Sequence, residues 1–185
     1  MTAQIPDRPH VAIRFSAAEI ATRVDEMAAD LAVKLPADTL VVSVLKGSFV
    51  FAADLIRALS RAGANWSMDF VTLSSYGTGT KTSGNVRIVR DIVDDVRDRD
   101  VLLVDDILES GLTLSFAKNL MKERGAHRVW VCTLLDKPHK RRAALEADFI
   151  GFQAGDEFLV GYGLDWAHRF RGLPYIGVVE KSAGE

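Results

Sequence analysis

Three acidic residues, a serine, a glycine and a threonine follow a short apolar run in the segment VLLVDDILESGLTL, residues 101–114. The apolar run is typical of a buried strand, and the apolar spacing after the turn is typical of a helix. Backbone N–H groups at a strand-to-helix turn converge on one point, where the helix dipole also favours negative charge. The segment therefore predicts a phosphate-binding turn. Its residues are Asp105, Asp106, Ile107, Leu108, Glu109, Ser110, Gly111, Leu112 and Thr113.

The side chains of this turn suit a phosphorylated sugar. Ser110 and Thr113 supply hydroxyl donors, and Gly111 allows a close approach or a positive φ. The carboxylates of Asp105 and Asp106 can accept hydrogen bonds from neighbouring sugar hydroxyls, or hold a water of hydrated Mg²⁺. A phosphate beside acceptors for a diol describes a ribose 5-phosphate. The alternative is that the acids only cap and solvate a helix start. The nucleotide patterns GxxxxGK[ST] and GxGxxG are absent from the sequence.

Apolar periodicity predicts the elements that must position this turn. Ser16 and Glu19 have the spacing of a capping box at the start of a helix over 16–35. A second helix is predicted over 48–62, and a third begins after the turn and ends near Gly125. Strands are predicted over 39–45, 68–73, 86–90, 101–105, 129–135 and 148–152.

Buried strands that alternate with helices predict the α/β class, with a twisted, mainly parallel sheet flanked by helices. Ligands on such sheets bind at the carboxyl ends of the strands. We expect one domain over residues 1–185, with a core of roughly 37–150. A small hood lobe is expected from roughly 151–185 together with N-terminal residues.

Composition excludes several classes of protein. Of the 185 residues, 48% are hydrophobic and 26% are charged, which excludes a disordered or fibrous chain. No stretch approaches roughly 18 uninterrupted apolar residues, so we expect no membrane association. The net charge of −2 gives no general attraction for nucleic acid. A single cysteine, Cys132, fits a reducing compartment, so a cytoplasmic protein is expected.

Residues 101–113 run in a set order: four apolar residues, two acids, two apolar residues, an acid, Ser, Gly, any residue and Thr. This order resembles the phosphoribosyl diphosphate (PRPP) binding motif of type I phosphoribosyltransferases. The resemblance extends over most of the chain and narrows to the hypoxanthine-guanine phosphoribosyltransferase family. It implies the type I phosphoribosyltransferase fold and Mg²⁺-dependent transfer of the phosphoribosyl group from PRPP to hypoxanthine or guanine. The products would be IMP or GMP and pyrophosphate. The resemblance also implies a homodimer or homotetramer.

Further residues are assigned by this resemblance. Leu45, Lys46 and Gly47 match the family's pyrophosphate-binding loop, in which the peptide before the lysine is a non-proline cis bond. Ser75 and Tyr76 match the start of a mobile loop that closes over the site and excludes water. The alternatives are an ordinary charged turn residue at Lys46 and an ordinary surface loop after Tyr76.

Five residues near the C-terminus match purine, metal and pyrophosphate positions of the family. Lys137 falls where the family has the lysine that donates to purine O6, Phe158 matches the aromatic that stacks on the base, and Leu159 matches the residue whose backbone reads the purine edge. Asp165 matches a carboxylate that binds Mg²⁺, and Arg171 matches an arginine that contacts the pyrophosphate. Alone, Phe158 would be interpreted as a core aromatic.

Two positions depart from the family pattern. The third acid of the motif acts on the proton at purine N7 and is usually Asp, whereas here it is Glu109. The extra methylene lengthens the reach by about 1.5 Å, enough to change the geometry of proton transfer. Our hypothesis is that Glu109 still serves as the base. The pair Asp105-Asp106 replaces the common Glu-Asp order, and both carboxylates are kept.

Other functions remain open from the sequence. A xanthine- or pyrimidine-specific transferase would share the fold, although Lys137 and Phe158 argue against a pyrimidine. A regulator that senses PRPP and binds nucleic acid would need a basic surface. The run Lys140, Arg141 and Arg142 is interpreted as a solvated surface feature, so it does not favour that regulator.

Overall fold

The computed structural model describes residues 10–76 and 85–179. It contains the helices α1 (Ala17–Lys34), α2 (Phe49–Arg61) and α3 (Leu112–Glu123), and a short 3₁₀ turn at Pro138–Lys140. The capping box is present: the N–H of Glu19 donates to Oγ of Ser16 (3.3 Å), and the N–H of Ser16 donates to Oε2 of Glu19 (2.8 Å). The three predicted helices are confirmed. None of the helices in these two ranges is long and apolar enough to span a membrane.

Six strands form the central sheet. The strands of the described chain are β1 (Val11–Phe15), β2 (Leu40–Leu45), β3 (Ser67–Tyr76), β4 (Asn85–Arg90), β5 (Asp100–Leu108), β6 (Arg128–Asp136), β7 (Phe149–Gln153), β8 (Leu159–Val160) and β9 (Ile176–Val179). The central sheet has the order β4-β3-β2-β5-β6-β7. All its neighbours are parallel except β4, which pairs antiparallel with β3 at one edge. The predicted α/β class with a mainly parallel sheet is confirmed.

Helices cover both faces of the central sheet. Successive residues of β5 point to opposite faces, so Leu102 packs with Leu55 under α1 and α2, whereas Leu103 packs with Met121 of α3. Cys132 of β6 is completely buried in the first of these cores. Burial on both faces explains why these strands have continuous apolar sequences.

Strand β5 extends further than predicted. It continues to Leu108 instead of ending at residue 105, because β6 pairs with it through Ile107↔Leu135 and Leu108↔Asp136. The two acids of the motif therefore lie within the strand. The turn itself is shorter than predicted and begins at Glu109.

A second, three-stranded sheet has the order β1-β9-β8 and is antiparallel throughout. It joins the N-terminal strand, from Val11, to the last described residue, Val179. The segment after β8 is held to the core by Tyr162, whose hydroxyl donates to Oδ2 of Asp54 on α2 (2.5 Å). Burial and the nearby Asp54 carboxylate raise the pKa of Tyr162, so this hydroxyl remains a donor.

Candidate active site

A cleft of about 270 Å³ opens at the carboxyl ends of β2 and β5. Its walls are the predicted phosphate-binding turn and the predicted pyrophosphate loop, which the fold brings face to face. The predicted residues that line it are Leu45, Lys46, Gly47, Asp105, Asp106, Ile107, Leu108, Glu109, Ser110, Gly111 and Thr113. Leu112 is the first residue of α3.

The turn before α3 depends on Gly111. Its φ of +77° lies in the left-handed region, which disfavours a residue with a Cβ. Oγ of Ser110 accepts the N–H of Leu112 at 3.4 Å, and the carbonyl of Gly111 accepts the N–H of Ser115 at 2.8 Å. The helix therefore starts directly after the turn, and its positive dipole end favours an anion there.

Asp105 and Asp106 form a pair of acceptors, of which Asp105 is buried and Asp106 partly buried. Asp105 is 8% exposed, and its Oδ1 accepts the N–H of Asp106 at 3.0 Å. Burial raises the pKa of Asp105 well above its usual value, and the charge of Asp106 raises it further. Burial also raises the pKa of Asp106, an effect that the positive charge of Arg171 opposes. Charge on this pair is costly until hydrogen-bond donors or a cation reach it.

The pyrophosphate loop touches the acid pair through Gly47. A Cβ at this position would lie 1.8 Å from Oδ2 of Asp106, so only glycine fits between the two walls. The peptide bond between Leu45 and Lys46 is cis, as the family resemblance predicted. The exposed side chain of Lys46 follows this bond directly.

Lys137 lies at the end of β6 and contacts Glu109. Its side chain is 3% exposed, and its Nζ donates to Oε1 of Glu109 at 3.0 Å and to the carbonyl of Glu157 at 2.8 Å. Nζ of Lys140 lies 3.7 Å from the same Oε1. The predicted base and the predicted purine-binding lysine are therefore one ion pair, a contact that the sequence did not indicate.

Arg141 is also part of the site, and its interpretation as a solvated surface residue is wrong. Its side chain is 17% exposed and donates from Nη1 to the carbonyls of Leu108 (3.0 Å) and Glu109 (2.7 Å). Its Nη2 donates to the carboxylate of Asp136, which ends the buried strand β6. A carboxylate at the end of a buried strand favours a cationic partner, so Asp136 was the available signal in the sequence.

Asp165 and Arg171 meet near the pyrophosphate loop. Nη2 of Arg171 lies 2.6 Å from Oδ1 of Asp165, and Nη1 donates to the carbonyl of Gly163 at 2.6 Å. Oδ2 of Asp165 accepts the N–H of His168 at 2.8 Å. A Cβ on Gly163 would lie 2.1 Å from the carbonyl of Gly47, so this segment packs directly on the pyrophosphate loop.

Phe158 belongs to an aromatic group near Lys137. The ammonium of Lys137 donates to the carbonyl of Glu157, the residue before Phe158. Phe158 is 54% exposed, and Trp166 meets it edge to face at 6.4 Å between ring centroids. Phe170 stacks on Trp166 at 6.3 Å between ring centroids. Leu159 is buried at the start of β8. Phe158 is therefore an accessible aromatic and not a core residue.

Ser75 and Tyr76 are the last residues of β3 and pair through their backbones with Val86 and Asn85 of β4. The predicted mobile loop continues from them into residues 77–84, which lie outside the described residues. Its closure stays a prediction.

The carboxylates of the site fit a magnesium ion that is shared with substrate. In the two described ranges, no group of three or more His, Cys, Asp or Glu side chains is placed to hold a metal ion alone. Mg²⁺ needs no such group when phosphate oxygens and waters complete its shell around one or two carboxylates. Each oxygen of Asp165 has one partner at hydrogen-bonding distance, Nη2 of Arg171 at 2.6 Å or the N–H of His168 at 2.8 Å, and keeps a lone pair for a cation.

Comparison with known proteins gives consistent matches. A model of the phosphoribosyl transferase domain matches residues 16–166. The hypoxanthine-guanine phosphoribosyltransferase of Bacillus subtilis is 45% identical, over 94% of this chain and 95% of its own. The hypoxanthine phosphoribosyltransferase of Escherichia coli K12 is 42% identical, over 91% and 95%. A hypoxanthine-guanine phosphoribosyltransferase crystal structure from Bacillus anthracis is 40% identical, with a TM-score of 0.86 over 94% of this chain and all of that one.

The fold and the turn at its sheet edge define a type I phosphoribosyltransferase. The expected fold class is therefore confirmed. Within that class, the chain belongs to the hypoxanthine-guanine phosphoribosyltransferase family.

Proposed function

We propose that the protein catalyses Mg²⁺-dependent transfer of the 5-phosphoribosyl group from PRPP to hypoxanthine and guanine, giving IMP or GMP and pyrophosphate in purine salvage. The observation that carries this proposal is the contact between Lys137 and Glu109, the first residue of the turn that follows β5. It joins a purine-binding donor, a proton acceptor and a phosphate-binding turn in one site. The names of the relatives support the same reaction.

The motif 105–113, which spans the end of β5, the turn and the start of α3, would bind the ribose 5-phosphate. Backbone N–H groups at the start of α3, with the hydroxyls of Ser110 and Thr113, face the 5-phosphate. Asp105 and Asp106 accept the ribose hydroxyls, whose donors satisfy these carboxylates, including the buried one of Asp105. Their negative charge also stabilises positive charge that develops on the ribose ring as the bond to pyrophosphate breaks.

The pyrophosphate would be held at the opposite wall of the cleft. Lys46 and Arg171 supply positive charge there, and the loop through Gly47 offers backbone N–H groups. Asp165 would hold Mg²⁺, with Asp105 and Asp106 acting through its waters. Bound Mg²⁺ would supply neutralisation of leaving-group charge.

Lys137 would select the base. An ammonium has three N–H donors and no acceptor, and two of the donors meet Glu109 and the carbonyl of Glu157. The third is available for an acceptor such as O6 of a 6-oxopurine. The 6-amino group of adenine is itself a donor and would leave this third donor of the buried ammonium unpaired. Phe158 would stack on the ring, and the backbone of Leu159 would read its edge.

Glu109 would act on the purine proton. A carboxylate within reach of the purine N7 can accept that proton or stabilise it while the ring nitrogen attacks C1 of PRPP. The side chain of Glu109 is 43% exposed, so it can move toward a bound base while Lys137 stays fixed.

The decisive experiment measures pyrophosphate release from PRPP and Mg²⁺ with hypoxanthine, guanine, xanthine, adenine, uracil and orotate offered separately. We expect release with hypoxanthine and guanine and none with adenine, uracil or orotate. Absence of release with every base, despite measurable PRPP binding, would overturn the proposal and indicate a PRPP sensor.

The proposal also includes a homo-oligomer, either a dimer or a tetramer, in the cytoplasm. Light scattering on the purified protein tests the first point, and a monomer at micromolar concentration would contradict it. Cell fractionation tests the second, with recovery in a secreted or membrane fraction as the contradicting result.

A further inference from the structure

The segment that follows β6 folds back over the phosphate-binding turn and holds its carbonyl groups. Nη1 of Arg141 donates to the carbonyls of two successive residues, Leu108 (3.0 Å) and Glu109 (2.7 Å). The carbonyl of Leu108 also accepts the N–H of Lys137 at 3.0 Å. One side chain therefore fixes the backbone on both sides of the peptide that enters the turn.

The next carbonyl is held in the same way. The carbonyl of Ser110 accepts the N–H groups of Arg142 (2.9 Å) and Ala143 (3.0 Å). Three successive carbonyls, that of Leu108 at the end of β5 and those of residues 109 and 110 in the turn, thus have donors from one segment, residues 137–143. Cδ of Arg141 would lie 3.2 Å from a Cβ at Gly111, so the arginine stem also packs against the turn.

The buried positive charge of Arg141 is balanced by the carboxylate of Asp136. Its Nη2 donates to Oδ1 of Asp136, and Nε2 of Gln153 donates to Oδ2 of the same carboxylate at 3.2 Å. The side chains of Arg141 and Asp136 are 17% and 7% exposed. A buried ion pair is tolerated when further hydrogen bonds satisfy it, and here they are two backbone carbonyls and one amide.

Holding these carbonyls has a direct consequence for the phosphate. In a trans peptide the C=O and the N–H point in opposite directions. Carbonyls at 108–110 that point out toward the segment 137–143 therefore turn the N–H groups of 109–111 the other way. In a phosphate-binding turn, those N–H groups are the ones that must face the anion.

We propose that Arg141 is a positioning residue that preorganises the phosphate-binding turn for PRPP. This inference rests on the proposed function, because it takes the 5-phosphate as the ligand of the turn. Arginine suits the position since its planar fork reaches two carbonyls and a carboxylate together. Lysine would keep the charge but lacks that fork.

The test compares Arg141→Lys with the wild-type enzyme in steady-state kinetics and in direct binding of PRPP with Mg²⁺ by calorimetry. We expect the KM and Kd for PRPP to rise roughly ten- to hundredfold, from the loss of charge-assisted hydrogen bonds. The KM for hypoxanthine should change less than threefold. Arg124→Lys is the matched control, because Arg124 also pairs with a carboxylate, that of Asp91, but lies at the C-terminal end of α3, opposite the turn.

A milder second variant, Gln153→Met, removes only a contact to Asp136. It should raise the KM and Kd for PRPP two- to fivefold, with a smaller change in the KM for hypoxanthine. Unchanged PRPP affinity in both variants would overturn the inference while the proposed reaction stands. Equal loss of PRPP and hypoxanthine affinity would also overturn it, because that is the mark of general destabilisation. If the wild-type protein had no transferase activity, the proposed function would fail instead, and PRPP calorimetry on the variants would still decide the role of Arg141.

Discussion

The ammonium of Lys137 lies 3.0 Å from Oε1 of Glu109, and the two side chains differ greatly in solvent exposure. The lysine side chain is 3% exposed and is also held by the carbonyl of Glu157, whereas the glutamate side chain is 43% exposed. Of the two, Glu109 is thus free to move when a base enters. Lys137 remains as a fixed donor that the base must match.

Replacement of Glu109 by glutamine should lower kcat by roughly a hundredfold or more, because the amide cannot accept the purine proton. The KM for PRPP should change little, since Glu109 contributes its backbone and not its carboxylate to the turn. Stopped-time assays of IMP formation at saturating substrates measure this effect.

Glu109→Asp is the control for that variant, because it keeps the acid and restores the residue usual in the family. We expect it to retain activity within about tenfold of the wild type, the difference reporting the altered reach. Near wild-type turnover in Glu109→Gln would show that Glu109 is not the base.

Replacement of Lys137 by glutamine should impair use of the 6-oxopurine far more than it impairs PRPP binding. We expect the KM for hypoxanthine to rise roughly ten- to hundredfold, because a charge-assisted donor to O6 is lost. The Kd for PRPP should stay within about threefold. The measurements are steady-state kinetics for both substrates and calorimetry for PRPP.

Lys140→Gln provides the comparison for this variant, since Lys140 is an exposed lysine 3.7 Å from the same carboxylate. It should leave the KM for hypoxanthine close to that of the wild type. Parallel losses for both substrates in Lys137→Gln would point to misfolding and would remove Lys137 from the purine site.

The acid pair should also make the free protein less stable as pH rises. Burial raises the pKa of Asp105 above its usual value near 3.8, so the folded state binds a proton that the unfolded state has released. Stability from this group is present below that value and is lost as pH rises through the raised folded pKa. Asp105→Asn removes the titration and keeps an acceptor for the N–H of Asp106.

We therefore expect Asp105→Asn to raise the Tm of the ligand-free protein at pH 7–8 and to leave it nearly unchanged near pH 4. The rise should be roughly 2–4 °C for each kcal/mol gained in the free energy of unfolding. Differential scanning calorimetry of both proteins across this pH range gives the difference directly. The same variant should bind PRPP more weakly. A wild-type Tm that exceeds the variant's at pH 8 would contradict a raised pKa for Asp105.

Much of this architecture follows from local sequence. The central strands and the helices were predictable because continuous apolar runs alternate with helical periodicity. The turn at residues 109–111 was predictable because Ser110 and Gly111 follow a buried strand. Strand β5 was predicted too short, since its last residues are extended only through pairing with β6.

Contacts between distant segments were not predictable. A hood lobe combining N-terminal residues with 151–185 was expected, but the short strands of the sheet β1-β9-β8 and their pairing were not. The role of Arg141 depends on the segment 137–143 lying over residues 108–110, a relationship that no local pattern encodes. The same holds for the packing of Gly163 on Gly47.

Replacement of Asp165 by asparagine should raise the Mg²⁺ concentration needed for half-maximal activity, because a neutral amide is a weaker ligand for a hard cation. Asparagine keeps an oxygen for the N–H of His168, so the local turn should persist. The ion pair with Arg171 is lost as well, which by itself would alter pyrophosphate affinity at every Mg²⁺ concentration. Titration of activity with Mg²⁺ in Asp165→Asn and in Arg171→Gln separates the two effects. We expect the half-saturating Mg²⁺ concentration to shift several-fold in Asp165→Asn alone, and an unchanged metal dependence there would remove Asp165 from the ligands.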